Sequence, residues 1–349
     1  MRLEPLDPRK HISTIVSIWN AACGASLAIA QRLVEYNTRP SAGNIQEGRV
    51  AIENGEPVGF ALASALPDDP QTSPPEVGWI DAIAVLPNHW RRGIGSTLLT
   101  WAGTWLREYG CTRARLGGSL RHWVPGLPTE LQSESFFRAR GYADRPGSSQ
   151  VWDVARDLRD YSTVQLSNYR TIQLRPAQPG DENALLQFLR REFPGRWRYE
   201  FQEFLRAHGR ISDYIVLITE RGIDGFARLT FEDSERPIER YYMHALPRPW
   251  GQLGPIGVSA DCRGRGYGGV LLDASLCHLR DRGVRGCVID WTGLVDFYAK
   301  FGFKPYRQYA MLLKMLTTAD NRPQTAKTTR RSAVNGQRSG HKTPCQRFN

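Results

Sequence analysis

The chain has 349 residues, 41% hydrophobic, 10% aromatic and 23% charged, a balance that excludes fibrous and wholly disordered classes and gives room for two globular domains. Its net charge of +11 invites a nucleic-acid reading, yet more than half of it comes from one stretch, where Arg322, Lys327, Arg330, Arg331, Arg338, Lys342 and Arg347 face Asp320 alone. That stretch is polar and lacks hydrophobic periodicity, so 319–349 is expected to be a disordered, solvated tail rather than a nucleic-acid arm.

The first residues, MRLEPLDPRK, are charged and lead into no apolar run with a small-residue cleavage site, so no signal peptide is expected. The apolar runs are too short to span a bilayer. Six scattered cysteines form no CxxC pair and seven histidines no HExxH pattern, which argues for a reducing cytoplasm and against a metal or a disulfide framework.

In chain order, the opening RLEPLDPRKHISTIVSIW predicts a short strand, a turn and an amphipathic helix. The same reading returns at QLRPAQPGDENALLQFL, with Leu3 opposite Leu174, Pro5 opposite Pro176 and Pro8 opposite Pro179. VGWIDAIAVLPNHWRRGIGSTLL corresponds to WGQLGPIGVSADCRGRGYGGVLL, with Gly95 opposite Gly268. SESFFRARGY corresponds to LVDFYAKFGF, with Gly141 opposite Gly302. Matches in one order at similar spacing indicate an internal duplication. The expected units are 1–158 and 170–318, joined by a polar linker at 159–169 and followed by the tail.

Each copy should run strand, one or two helices, several strands, a glycine loop, a long helix, a strand, a short helix and closing strands. In the second copy, strands are expected near 170–175, 213–220, 223–231, 252–259, 285–291 and 304–316, and helices near 181–193, 198–208, 267–282 and 293–301. The fold class is α/β: mixed sheets with helices packed on their faces. Residues 233–249 break the strand alternation and read as an elaborated hairpin or loop.

The glycine loops carry the chemistry. A strand, then glycines, then a helix aims free backbone N–H groups and the positive helix end at one spot, which suits an anion such as a diphosphate. Arg263 and Arg265 add charge at that mouth in the second copy, and Arg91 and Arg92 in the first. The loops lack a lysine followed by Ser or Thr, and GIGSTL lacks the third glycine of a dinucleotide fingerprint, so a nucleoside triphosphate or dinucleotide is disfavoured. Pro255 falls where a central strand is expected. A proline there fits either a strand that has parted from its neighbour or a simple loop.

CRGRGYGGVLL matches the [QR]-x-x-G-x-[GA] loop of the GNAT superfamily of acetyl-CoA-dependent N-acetyltransferases, and FYAKFGF resembles its FYxxxGF segment. In both copies the order of elements is similar to that superfamily, so the chain resembles a tandem GNAT protein. The resemblance implies two mostly antiparallel mixed sheets, each with a splayed central strand pair, and a loop that cradles the pyrophosphate of acetyl-CoA. It assigns coenzyme contacts to Arg263, Gly264, Arg265, Gly266, Tyr267, Gly268 and Gly269, with Ile256, Gly257 and Val258 on the strand. In the first copy the counterparts are Arg91, Arg92, Gly93, Ile94, Gly95 and Ser96, with Ala84 and Val85.

The same resemblance puts Tyr298 beside the coenzyme sulfur as a proton donor to the leaving thiolate, though a buried tyrosine on a short helix also suits a core. The first copy departs from the pattern, with Trp90 for Gln or Arg and Phe137 opposite Tyr298, so it reads as degenerate or regulatory and the second as catalytic. For the general base, Asp290 is the candidate, with Asp296 and His244 as alternatives and Asp81 its rival in the first copy. The expected acceptor is a small-molecule amine attacking in a ternary complex. A protein N-acetyltransferase and a non-catalytic acyl-CoA sensor are the other readings. SLRHWVPGLPTE and FPGRWRYEF, 119–130 and 193–201, suit either an acceptor pocket or contact between the halves. The chain is expected to be a pseudo-dimer of its own two domains and monomeric.

Overall fold

The computed structural model describes residues 1–147, 151–163 and 172–316. The first half runs β1 (Arg2–Pro5), α1 (Pro8–Cys23), α2 (Gln31–Thr38), β2 (Ile45–Glu53), β3 (Glu56–Ala65), β4 (Val77–Val85), α3 (Ile94–Glu108), β5 (Arg113–Leu116), β6 (Leu127–Pro128), α4 (Glu134–Arg138), β7 (Ala143–Asp144) and β8 (Val151–Asp157). The second half runs β9 (Gln173–Pro176), α5 (Glu182–Glu192), α6 (Arg196–Arg206), β10 (Tyr214–Thr219), β11 (Gly222–Phe231), β12 (Trp250–Val258), α7 (Tyr267–Asp281), β13 (Gly286–Thr292), α8 (Val295–Ala299), β14 (Lys304–Ala310) and β15 (Leu312–Met315). The duplication read from sequence is visible as the same succession of elements. None of the helices among the described residues is long and apolar enough to cross a membrane.

Local chemistry sets the helix starts. Asp7 accepts the Arg9 amide at 3.0 Å and Pro8 occupies the first turn of α1, where its missing N–H costs nothing. The apolar stripe of α1 then buries Ile15, Ile18 and Trp19. α3 and α7 start on glycine instead and bury Leu98, Ala102 and Leu106, or Leu272, Leu276 and Leu279, against their sheets.

The two sheets are mixed, and strands cross between the halves: sheet one takes β15 from the second half, and sheet two takes β6 and β8 from the first. Sheet one has the order β1-β2-β3-β4-β5-β15-β7, and sheet two the order β6-β14-β8-β13-β12-β11-β10-β9. β8, from the end of the first half, lies between β13 and β14, with Ala155 opposite both Val288 and Lys304. β15, from the end of the second half, lies beside β5, with Leu313 opposite Arg115. The single strand expected over 304–316 is therefore two, broken at Met311 where the chain changes sheets.

The stretch read as a polar linker is described only as far as Thr163, and Tyr161 within it is buried, its hydroxyl donating to Asp273 on α7. The basic tail from 319 lies outside the described residues. The loop at 233–249 is not a surface excursion. Its turn at Ile238–Tyr241 packs inward, and Tyr242 and Met243 are fully buried between the halves, where the Tyr242 hydroxyl donates to the Trp123 carbonyl at 3.0 Å.

Candidate active site

Both helix mouths have one geometry. Gly266 and Gly93 are the N-caps of α7 and α3, left-handed with φ of 81° and 85°, and neither helix has a side-chain cap. Two positions earlier, Gly264 has φ 77° and Arg91 has φ 62°, so the loop turns left-handed twice in each copy. The chain thus leaves the first-turn amides without a side-chain acceptor of its own, the condition for holding an anion there.

The copies differ in what stands before that mouth. A Cβ at Gly268 would meet nothing within 4 Å, although φ there is ordinary, so neither packing nor backbone strain calls for glycine. At the matched Gly95 a Cβ would come 3.0 Å from Phe136, and the Arg140 guanidinium stacks on that ring at 3.8 Å while donating to Ser96 Oγ at 2.6 Å. The exposed Trp90 indole donates to the Val85 carbonyl at 2.7 Å, taking an acceptor on β4. Arg92 pairs with Glu53 at 3.2 Å, and Ile94 is buried in the core. In the second copy the Arg263 side chain has no ion-pair partner among the described residues. Gly269 donates to the Gly266 carbonyl at 3.0 Å within the helix, and Tyr267 packs at the edge of the core.

The splay lies beside each mouth. β12 pairs in parallel with β13 only from Trp250 to Gln252, although it continues along β11 as far as Val258. β4 likewise pairs with β5 only from Val77 to Ile80. Pro255 lies beyond the last β12–β13 pair, where no ladder partner asks for its missing N–H. Ile256, Gly257 and Val258 are half-buried on this opened edge; Ala84 and Val85 occupy the same place on β4. Gly257 has a packing reason to be glycine, since a Cβ would lie 2.6 Å from the Phe193 ring.

In the second copy Asp290 lies past the last β12–β13 pair, and Tyr298 is near enough to feel its charge. β13 slips register between Ile289 and Thr292, and the residue in that irregularity, Trp291, has φ 53°. The slip turns Asp290 toward β12, where Gln252 Nε2 donates to its Oδ1 at 2.7 Å and to the Gly254 carbonyl at 3.2 Å. Burial lifts the Asp290 carboxyl above the usual range against the pull of Arg240 and Arg236. Tyr298 is 5% exposed on α8 with a side-chain hydrogen bond to Thr292; burial, aided by the negative charge of Asp290, pushes its phenol up to about 12. It also packs in the core with Leu253, Ile289 and Phe303, as a buried tyrosine on a short helix would.

The other acids and His244 lie elsewhere. Asp296 is exposed in the first turn of α8, and His244 is exposed, its Nε2 3.0 Å from the Ala28 carbonyl. Asp81 stands where β4 parts from β5, buried, accepting from Ser64 Oγ and Gln46 Nε2 at 2.7 Å each, and burial pushes its carboxyl up to about 6.

The segments 119–130 and 193–201 meet each other. Arg196 at the start of α6 donates to the carbonyls of Gly118 at 2.9 Å and Ser119 at 2.6 Å, pairs with Glu200 at 2.6 Å, and lies over the Trp291 ring at 4.7 Å. Arg236 joins Glu200 at 3.2 Å, and Arg240 reaches His122 Nδ1 at 3.1 Å. Burial works to raise the Glu200 carboxyl, but the guanidinium groups of Arg196, Arg236, Arg228 and Arg240 outweigh it and hold it at about 2. The same cationic ring, added to burial, drives the His122 imidazole well below its usual value, so it is neutral and accepts. Sequence reasoning missed Gln252 and this cluster. The only signals were the four-residue spacing of Arg196 with Glu200 and of Arg236 with Arg240.

Comparison with known proteins finds one family in both halves. The model of the Acetyltransferase (GNAT) family matches residues 18–120 and 182–303. The chain is 28% identical to a mycothiol acetyltransferase of Actinosynnema mirum over 320 residues, 88% of this chain and 98% of that one. It is 27% identical to the mycothiol acetyltransferase of Thermomonospora curvata over 270 residues, 74% of this chain and 78% of the relative. Among solved structures, a GCN5-related glucosamine N-acetyltransferase region of a fungal multi-domain GH3 beta-N-acetylglucosaminidase superposes with a TM-score of 0.78 at 22% identity. That match covers 89% of this chain but only 38% of the fungal protein. A tandem GNAT protein from the clavulanic acid biosynthesis pathway gives a TM-score of 0.64 at 17% identity, covering 90% and 99% of the two chains.

Proposed function

The chain belongs to the Acetyltransferase (GNAT) family and is an acyltransferase with two copies of that fold, and from this premise we propose that it transfers acetyl from acetyl-CoA to the primary amine of a small molecule at the second copy. Bound acetyl-CoA would supply the thioester. The uncapped amides of α7 and the Arg263 guanidinium hold its diphosphate, and the β12 edge from Ile256 to Val258, unpaired toward β13, holds the pantetheine. Asp290, its carboxyl raised toward neutrality, takes a proton from the acceptor ammonium. Tyr298 stays protonated through neutral pH and donates its proton to the thiolate as the carbon–sulfur bond breaks, recovering one from the attacking nitrogen as it becomes the amide. The first copy is non-catalytic on this reading: Trp90 and Phe136 crowd its mouth, and Phe137 has no proton to give.

The observation that carries the proposal is the contrast at the matched helix mouths, one bare at Gly268 and the other backed by Phe136. Calorimetry should detect acetyl-CoA binding with one site per chain, lost in Gly268→Glu. Tyr298→Phe should keep that binding and lower kcat by about a hundredfold. Absence of heat with acetyl-CoA on the wild type would end this reading.

A further inference from the structure

Between the two copies lies a small cleft, open to solvent, with walls rich in arginine. Arg121, Arg228, Arg236 and Arg240 all line it, and each is no more than 8% exposed. Arg121 is matched by Glu203 at 2.9 Å and Arg236 by Glu200 at 3.2 Å. Arg228 and Arg240 have no ion-pair partner among the described residues, and Nε of Arg228, Arg236 and Arg240 is buried without a hydrogen-bond acceptor. Arg228 stacks over the Phe204 ring at 5.0 Å, and Arg240 touches only the neutral His122 ring and carbonyl with its donors. A buried guanidinium without a direct ion pair is costly, and here Glu200, already paired with Arg196 and Arg236, offsets Arg228 and Arg240 only from a distance. A chain of contacts links the cleft to the proposed catalytic opening: Glu200 in its wall pairs with Arg196, which lies over Trp291, the neighbour of Asp290.

We propose that this cleft binds an anionic group, a carboxylate or a phosphate, borne by the acceptor amine, and so directs acetyl transfer to anionic amines. The inference rests on the transferase reading for the amine but not for the anion. Planar guanidinium groups suit the two oxygens of either anion, and the anion supplies the direct ion pair that Arg228 and Arg240 lack. The amine at the other end of such a molecule then reaches toward Asp290.

The test uses the full chain and has two arms. In the first, without acetyl-CoA, inorganic phosphate and acetate are titrated into the protein at constant ionic strength set with chloride, and melting is followed in parallel. Phosphate or acetate should bind and raise the melting temperature of the wild type. Arg228→Met, relieved of a buried unpaired charge, should melt higher than wild type without either anion and gain nothing from them. Equal or absent stabilisation of the two proteins by both anions overturns the proposal. If Arg228→Met does not fold, Arg240→Gln takes its place, and wild-type heat with neither anion above chloride is still fatal.

In the second arm, glucosamine 6-phosphate is compared with glucosamine, and β-alanine with its amide, as acetyl acceptors. One anionic member should exceed its neutral partner roughly thirtyfold in kcat/KM, with the preference lost in Arg240→Gln; which pair responds identifies the anion. Equal rates on both pairs overturn the proposal and leave the transferase reading intact. Anion binding that persists in a protein inert toward acetyl-CoA supports the anion site and sinks the transferase reading instead.

Discussion

Gly268 separates two demands that usually coincide. Glycine weakens a helix, and here neither left-handed backbone nor a close neighbour excuses it. Gly268→Ala should therefore raise stability by about 1 kcal/mol in thermal melts while weakening acetyl-CoA binding in calorimetry. A variant that gained stability with unchanged affinity would show that the open space at the mouth serves no ligand. Asp81 makes a different residue-scale prediction. Unfolded, its carboxyl loses its proton near 3.8; folded, it keeps it to about 6. The folded chain binds more protons in that window, so stability is highest at its acid end and falls as pH rises through it, on the order of 3 kcal/mol. Asp81→Asn should flatten that slope, measured as urea midpoints from about pH 4 to about pH 7. An unchanged slope would mean that Asp81 is ionised throughout.

At the scale of elements, α6 fastens the halves together. Arg196 satisfies two carbonyls of the turn after β5 and neutralises Glu200. Arg196→Ala strands those acceptors and should cost about 3 kcal/mol, read from urea unfolding. A loss below 0.5 kcal/mol would mean that water replaces the guanidinium freely. Much of this level was legible beforehand. The paired glycine loops located both long helices, and Pro255 marked a strand edge with no ladder partner. α5 and α7 begin and end within a residue or so of where periodicity put them. What escaped notice was relational. Residues 304–316 carry the aromatic and aliphatic side chains of a strand, but such composition says nothing about which strand lies alongside, so the change of sheet at Met311 left no local trace. The cationic cleft escaped for a similar reason. Arg228, Arg236 and Arg240 look like ordinary surface charges in sequence, and only the packing of 233–249 beneath the first copy makes them buried.

For the whole molecule, the exchanged strands make each copy's sheet depend on the other half of the chain. Residues 1–158 expressed alone would carry β8 with no sheet to join and leave β5 with an open edge. That fragment should aggregate, and coexpression with 159–349 should return a soluble one-to-one complex on size-exclusion chromatography. A soluble, monomeric first fragment would show that the exchange is dispensable.

The pairing of Leu313 with Arg115 also sets a timetable for synthesis. As the ribosome works from the amino end, the first half emerges with its sheet unfinished and must wait, one edge bare, until nearly the whole described chain has been made. Folding of the first copy is thus a post-translational event, dominated by a contact between distant parts of the message and correspondingly slow. A stop codon anywhere before Leu312 would injure the half of the protein it does not touch.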